Sequence, residues 1–215
     1  MKKKLTVKEI LEAKGKKKLT QVYVHTPLEA NACEKSEIDM IISSENNNFK
    51  FLRDNAKNTF FTVGLQYGRY LSEYEIIKKS FQLLELGADA IYCPQSARFI
   101  KAIANEGIPV VGHAGFIPYK LTQYGGFKAY GKNFEEAKKI LNEINVLQDA
   151  GAFATEIEIV PEEIVEIIYK ETDIFLIGMG SGTICDAQYL FSEDILGYNL
   201  SLIHISEPTR LLSIA

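Results

Sequence analysis

Apolar residues recur along this chain in two rhythms that take turns from end to end. Stretches with a hydrophobic stripe at three- and four-residue spacing alternate with short β-rich runs. Thr6-Val7-Lys8-Glu9 and Ser72-Glu73-Tyr74-Glu75 are capping boxes, in which a hydroxyl and a glutamate reciprocally satisfy the free N–H groups of a helix start. The helix from Ser72 should carry Ile76, Ile77, Phe81 and Leu84 on one stripe. Asn133 caps a second, with Phe134, Ala137, Ile140, Leu141, Ile144 and Leu147 inward. Pro161 suits the first turn of a third, which carries Ile164, Ile167 and Ile168.

One phrase repeats at the helix ends: an amphipathic stretch, a glycine, then a β-rich run. It occurs around Gly87, Gly107 and Gly151, each fitting the left-handed position after a helix, where a Cβ costs energy. Ser36-Glu37-Ile38-Asp39 stands at an equivalent joint without the glycine. Repeated short helix-to-strand joints argue for stacked βα units on a parallel sheet. The predicted strands are residues 20–25, 38–43, 59–65, 90–93, 109–112, 154–159, 175–178 and 187–191. Eight such units close an α/β fold of the (β/α)8 TIM-barrel type, with its active site in the loops after the strands. A doubly wound open sheet is the alternative, but no GxGxxG or GxxxxGK[ST] fingerprint favours it. The glycine-rich turn Gly178-Met179-Gly180-Ser181-Gly182 reads either as an anion cradle or as a tight rim turn.

The chain has 215 residues, 47% hydrophobic and 24% charged, which suffices for one large core. A net charge of −4 provides no positive field for nucleic acid or anionic membrane, and no run reaches the roughly 20 apolar residues of a span. Lys2–Lys4 and Lys16–Lys18 are short solvated clusters. With no apolar core of a signal peptide and three scattered cysteines, Cys33, Cys93 and Cys185, a cytoplasmic protein with buried free thiols is expected. The run from Leu200 to Arg210 resembles the in-frame translation of a sequencing-library adapter. Residues 1–199 are therefore read as the barrel, expected to lack its last helix, and residues 200–215 as a non-native tail.

Polar groups near strand ends carry the candidate chemistry: Glu45, His113, Glu158 and Asp186. A carboxylate inside an apolar strand is costly unless paired, protonated or metal-bound, so Glu158 is the candidate general base. Glu156 and Glu158 alternate with apolar residues and could face the same way, as site groups or as partners in an ion pair.

At these residues the chain resembles the ketopantoate hydroxymethyltransferase family. Residues 107–115 are similar to that family's fifth strand and loop, and Gly125-Gly126-Phe127-Lys128 to its GGYK-type loop. Glu158 through Pro161 resembles its LECVP segment, and Gly178–Gly182 with Asp186 and Gln188 its GIGAG…DGQ turn. The resemblance implies a (β/α)8 barrel acting in pantothenate synthesis, as an oligomer of identical chains. Magnesium would chelate a 2-oxo acid, Glu158 would remove a proton beside the ketone, and the carbon would come from methylenetetrahydrofolate. At the matching positions Glu45 is the candidate metal ligand and Asn46 and His113 are candidate substrate-binding residues; Tyr92 and Arg69 join the substrate-binding candidates from their place near the strand-end rim. The chain departs from the family at Ser44-Glu45-Asn46 for Gly-Asp-Ser, at Gly64 for an aspartate, and at Tyr92-Cys93-Pro94-Gln95-Ser96 for Lys-x-Glu-Gly-Gly. Two other readings use the same residues: an oxo-acid enzyme of changed substrate working without magnesium, with Tyr92 and Arg69 replacing the lost charges, and a non-catalytic metabolite-binding paralogue.

Overall fold

The computed structural model describes residues 2–45 and 48–197. Its elements run α1 (Val7–Ala13), β1 (Leu19–Tyr23), α2 (Pro27–Lys35), β2 (Met40–Ser44), α3 (Phe49–Asn55), β3 (Phe60–Gly64), α4 (Glu73–Glu85), β4 (Ala90–Tyr92) and α5 (Ala97–Asn105). They continue with β5 (Val110–Gly115), α6 (Leu121–Tyr124), α7 (Phe134–Asp149), β6 (Ala154–Glu158), α8 (Glu162–Glu171), β7 (Phe175–Met179), β8 (Ala187–Phe191) and α9 (Ser192–Ile195). All eight strands pair in parallel in chain order, and β8 closes onto β1 in the register Leu19↔Ala187 to Tyr23↔Phe191. The expected (β/α)8 barrel is the fold. Asn46 and the residue 200–215 segment lie outside the described residues.

Strand side chains alternate between two cores, as the two-residue period of a strand requires. Met40, Ile42, Phe60, Ala90, Val111, Ala154, Phe175 and Ile177 fill the barrel, with Ile10 of α1 in the same cluster. Ile41, Phe61, Val63, Ile91, Val110, Ile157 and Leu176 face the helices instead. Both expected capping boxes form, and a third, Thr26 with Glu29, starts α2. Asn133 caps α7. Pro161 sits one position earlier than expected, at the N-cap of α8.

The glycine joints behave as read, with φ of 102°, 75° and 93° at Gly87, Gly107 and Gly151. At the joint without a glycine, Glu37 itself takes φ 58°. The helical stripes are narrower than expected. Ile76, Leu83, Ile140, Ile144, Leu147, Val165 and Ile168 are buried, whereas Phe81, Phe134 and Ile167 are exposed. Phe134 opens the first turn of α7.

Asp186 lies just before β8, at the end of the barrel opposite the strand C-termini. Its carboxylate accepts from Lys14 Nζ (3.2 Å), Tyr169 Oη (2.7 Å) and the N–H groups of Gly15 and Leu176. It ties the segment after α1 to β7 and belongs to the scaffold, not to the rim expected from its position in the sequence. All three cysteines are free and buried, and burial pushes the Cys93 and Cys185 thiols up to about 12.

Candidate active site in the barrel mouth

The C-terminal ends of the strands enclose a cavity of about 320 Å³. Because Glu156 and Glu158 are two residues apart on β6, both point into the barrel, and both are buried. The register of β5 against β6 sets His113 opposite Glu156 and Gly115 opposite Glu158. His113 Nε2 therefore lies 3.2 Å from Glu158 Oε2, and Nδ1 lies 3.9 Å from Glu156 Oε2. Tyr92 at the end of β4 brings its hydroxyl to 2.6 Å from His113 Nδ1. Nε2 is also 3.1 Å from the Phe116 carbonyl, which can only accept, so that nitrogen carries a proton. The sequence-predicted Glu158, His113 and Tyr92 thus form one hydrogen-bonded group.

Burial dominates the electrostatics of Glu156. Burial pushes Glu156 up to about 7, against the opposing pull of His113, and Gln21 Nε2 donates to it at 3.3 Å. Burial disfavours the charged form of His113. The hydrogen bond and charge of Glu158, with the charge of Glu156 and the Phe116 carbonyl, outweigh that cost and hold its pKa above the ordinary histidine value. Burial, reinforced by both carboxylates, raises the Tyr92 phenol far above its ordinary range. Tyr92 is therefore a neutral donor.

The loop behind Glu158 is tightly held. Ile159 takes φ 47°, a costly conformation for a β-branched residue. Its N–H donates to the Met179 carbonyl and its own carbonyl accepts from Tyr130 N–H. Ser181, in the glycine-rich turn after β7, donates to the Ile157 carbonyl at 2.9 Å and accepts from Val160 N–H at 3.1 Å. That turn is a brace for the β6 terminus. Gly115 has φ 83°, and a Cβ there would lie 2.7 Å from the Glu158 carbonyl oxygen.

Two expected residues stand apart. On β2 the inward side chains are Met40, Ile42 and Ser44, so Ser44 faces the cavity and Glu45 points away from it. The Glu45 carboxylate is buried against the Gln66 N–H (2.9 Å), the Tyr70 hydroxyl and Lys79 Nζ (3.4 Å). Arg69 is exposed outside the cavity and donates to Gln66 Oε1 at 2.9 Å; Gln66 itself lines the cavity.

The family model for ketopantoate hydroxymethyltransferase matches residues 46–205. The chain belongs to that family. It is 30% identical to the 3-methyl-2-oxobutanoate hydroxymethyltransferase of Kosmotoga olearia, over 91% of this chain and 82% of the relative. It is 32% identical to the enzyme of that name from Thermosipho africanus, over 91% and 83%. Among solved structures, 2,3-dimethylmalate lyase, of the PEP mutase/isocitrate lyase superfamily, superposes with a TM-score of 0.64 at 12% identity, covering 97% of this chain and 88% of that one. At that identity the likeness is one of fold.

The magnesium ion implied by the family does not fit the donors present. Among the described residues no group of three or more His, Cys, Asp or Glu could hold a metal. Gly64 offers no side-chain ligand, and the Glu45 oxygens already accept from three donors, one of them an ammonium. The sequence left unassigned the hydroxyl-rich lining formed by Tyr23, Ser44, Tyr119 and Tyr189. The two-residue period on β1, β2 and β8 is the signal that finds three of them. No described helix is long and apolar enough to cross a membrane.

Proposed function

We propose that this chain is a hydroxymethyltransferase of pantothenate synthesis, moving a one-carbon unit from methylenetetrahydrofolate to 3-methyl-2-oxobutanoate. The observation that carries this reading is the Glu158–His113–Tyr92 group in the barrel mouth of a chain belonging to the family. A 2-oxo acid of this size suits a cavity of about 320 Å³. Among the described residues no lysine or arginine lines that cavity, so the oxo acid's carboxylate would meet neutral donors such as Ser44 and Gln66. Arg69 acts through Gln66 by holding the amide oxygen, which leaves the amide N–H groups for the substrate.

Glu158 takes the proton from the carbon beside the ketone. The electron pair moves onto the ketone oxygen as an enolate. His113 supports this from its raised proton affinity: as imidazolium, its Nδ1–H donates to the Tyr92 oxygen, and the Tyr92 O–H donates to the enolate oxygen. The enolate carbon then forms a carbon–carbon bond to the one-carbon unit. That unit is freed when water adds to the methylene carbon and both carbon–nitrogen bonds break, the two water protons going to the nitrogens of the departing tetrahydrofolate; the water oxygen stays on the carbon and takes the proton back from Glu158 as the new hydroxyl. Tyr92–His113 takes the electrophilic part that the family gives to magnesium, and no step is routed through the metal. A cytoplasmic setting and a homo-oligomeric assembly go with the same reading.

The test is folate-dependent ketopantoate formation with magnesium and with EDTA. Turnover that survives EDTA and disappears in Glu158→Gln supports the proposal. Turnover that vanishes with EDTA refutes the metal-independent mechanism, and no turnover under either condition refutes the transferase reading.

A further inference from the structure

A second cavity, of about 330 Å³, lies on the outer side of the β4 and β5 ends, between the loop after β4 and α7. His113 forms part of the wall of both cavities. Tyr67 lines the second and Tyr119 the first, and their rings stack at 4.5 Å with an interplanar angle of 10°. The two spaces are neighbours with an aromatic pair and a reacting histidine between them.

Lys120, Ser96 and Asn142 bring donors to the wall of this second cavity, but its unpartnered buried atoms are acceptors. Three buried side-chain atoms among the described residues have no hydrogen-bond partner, and two of the three residues line this cavity: Gln95, through Oε1, and Glu143, through Oε2. Gln95 is already oriented, because its Nε2 donates to the Tyr70 carbonyl at 3.0 Å, so its oxygen is the end left unused. Burial raises the Glu143 carboxyl, with Lys120, Lys139 and His113 countering part of the effect. Two acceptors without donors at one cavity call for a ligand that brings donors. The 2-oxo acid is an anion and carries none at neutral pH, so it is a poor match for Glu143. A flat heterocycle with adjacent N–H and NH2 groups on one edge is a good match, since such an edge meets a carboxylate with two parallel hydrogen bonds.

We propose that this second cavity holds the pterin-like head of the one-carbon donor, its N–H edge on Glu143 and Gln95 and its face against Tyr67. The inference rests on the transferase reading above and adds where the second substrate sits. The donor's reactive carbon would then reach the enolate past His113, and each substrate would have its own entrance.

The experiment is calorimetric titration with (6S)-tetrahydrofolate, which has no carbon to give, on the whole chain and on three variants. Glu143→Gln should weaken binding at least tenfold, by removing the charged acceptor. Val146→Trp should do the same by filling the cavity, and because Val146 is exposed the change is compatible with folding. Glu158→Gln, in the other cavity, should bind as the native chain does, and 3-methyl-2-oxobutanoate should not compete. Unaltered binding in both Glu143→Gln and Val146→Trp, or competition by the oxo acid, overturns the assignment of the site while leaving the transferase reading intact. No binding of tetrahydrofolate to the native chain overturns both.

Discussion

Glu158 and Glu156 are neighbours on one strand, yet their surroundings give them opposite tasks. Glu158 is paired with a histidine that shares its charge, whereas Glu156 sits deeper, held near 7 by burial. Replacing Glu158 by Gln should lower kcat by roughly 10²–10⁴-fold, the usual contribution of a general base. Glu156 makes a different prediction. In the unfolded chain it loses its proton near 4.5, in the folded chain near 7. Between those values the folded state binds more protons, so stability falls as pH rises and the penalty is complete above 7. Glu156→Gln keeps an acceptor for Gln21 and removes the penalty. Its melting temperature should therefore exceed native at pH 8 by several degrees, at about 2–4 °C per kcal/mol for a chain of this size, and by little at pH 5. Equal shifts at both pH values would show that Glu156 is not titrating there. That both carboxylates face inward could be read from their two-residue spacing. The burial that raises Glu156, and the contacts with His113 and Gln21 that counter it, could not, because those residues lie far off in sequence and meet β6 only when the barrel closes.

The strands explain where the reading of the chain succeeded and where it slipped. β6 places polar and apolar residues alternately, so its phase is visible. β2 is buried on both faces through Met40, Ile41 and Ile42, and such a run hides which side chains point inward. Glu45 was accordingly expected at the cavity, when Ser44 is the residue that reaches it. The same reasoning applies to the helix joints. Glu37 takes a left-handed conformation that costs an L-residue roughly 1–2 kcal/mol, in a place where three other joints use glycine. Glu37→Gly should recover part of that, raising stability by about 0.5–1 kcal/mol in urea denaturation. The opposite change at Gly115 should be severe. A Cβ placed 2.7 Å from the Glu158 carbonyl oxygen must displace the β6 terminus, so Gly115→Ala should lose transferase activity by at least tenfold as well as stability. Activity retained in Gly115→Ala would mean that the position of Glu158 is less critical than the geometry implies.

Across the whole molecule, chemistry and cohesion sit at opposite ends of the barrel. The mouth holds the buried carboxylates and the strained Ile159, while the far end is knitted by Asp186. Asp186→Asn leaves Lys14 facing a neutral amide and loses two of the carboxylate's acceptor roles. Breaking a buried pair in this way costs on the order of 3–5 kcal/mol, so the denaturation midpoint should drop sharply. At temperatures where the variant remains folded, the Michaelis constant for the oxo acid should stay native. A changed Michaelis constant would show that the two ends are coupled.

The pairing of β8 with β1 has a consequence for how the protein is made. A ribosome releases β1 first of the eight strands and β8 last, and a strand of a parallel sheet cannot borrow a hairpin partner while it waits. For most of translation, then, β1 has one edge without its native partner and is open to any extended segment nearby. Nascent chains arrested before β8 should therefore be clients for chaperones, and two such chains should tend to complete one another's sheet.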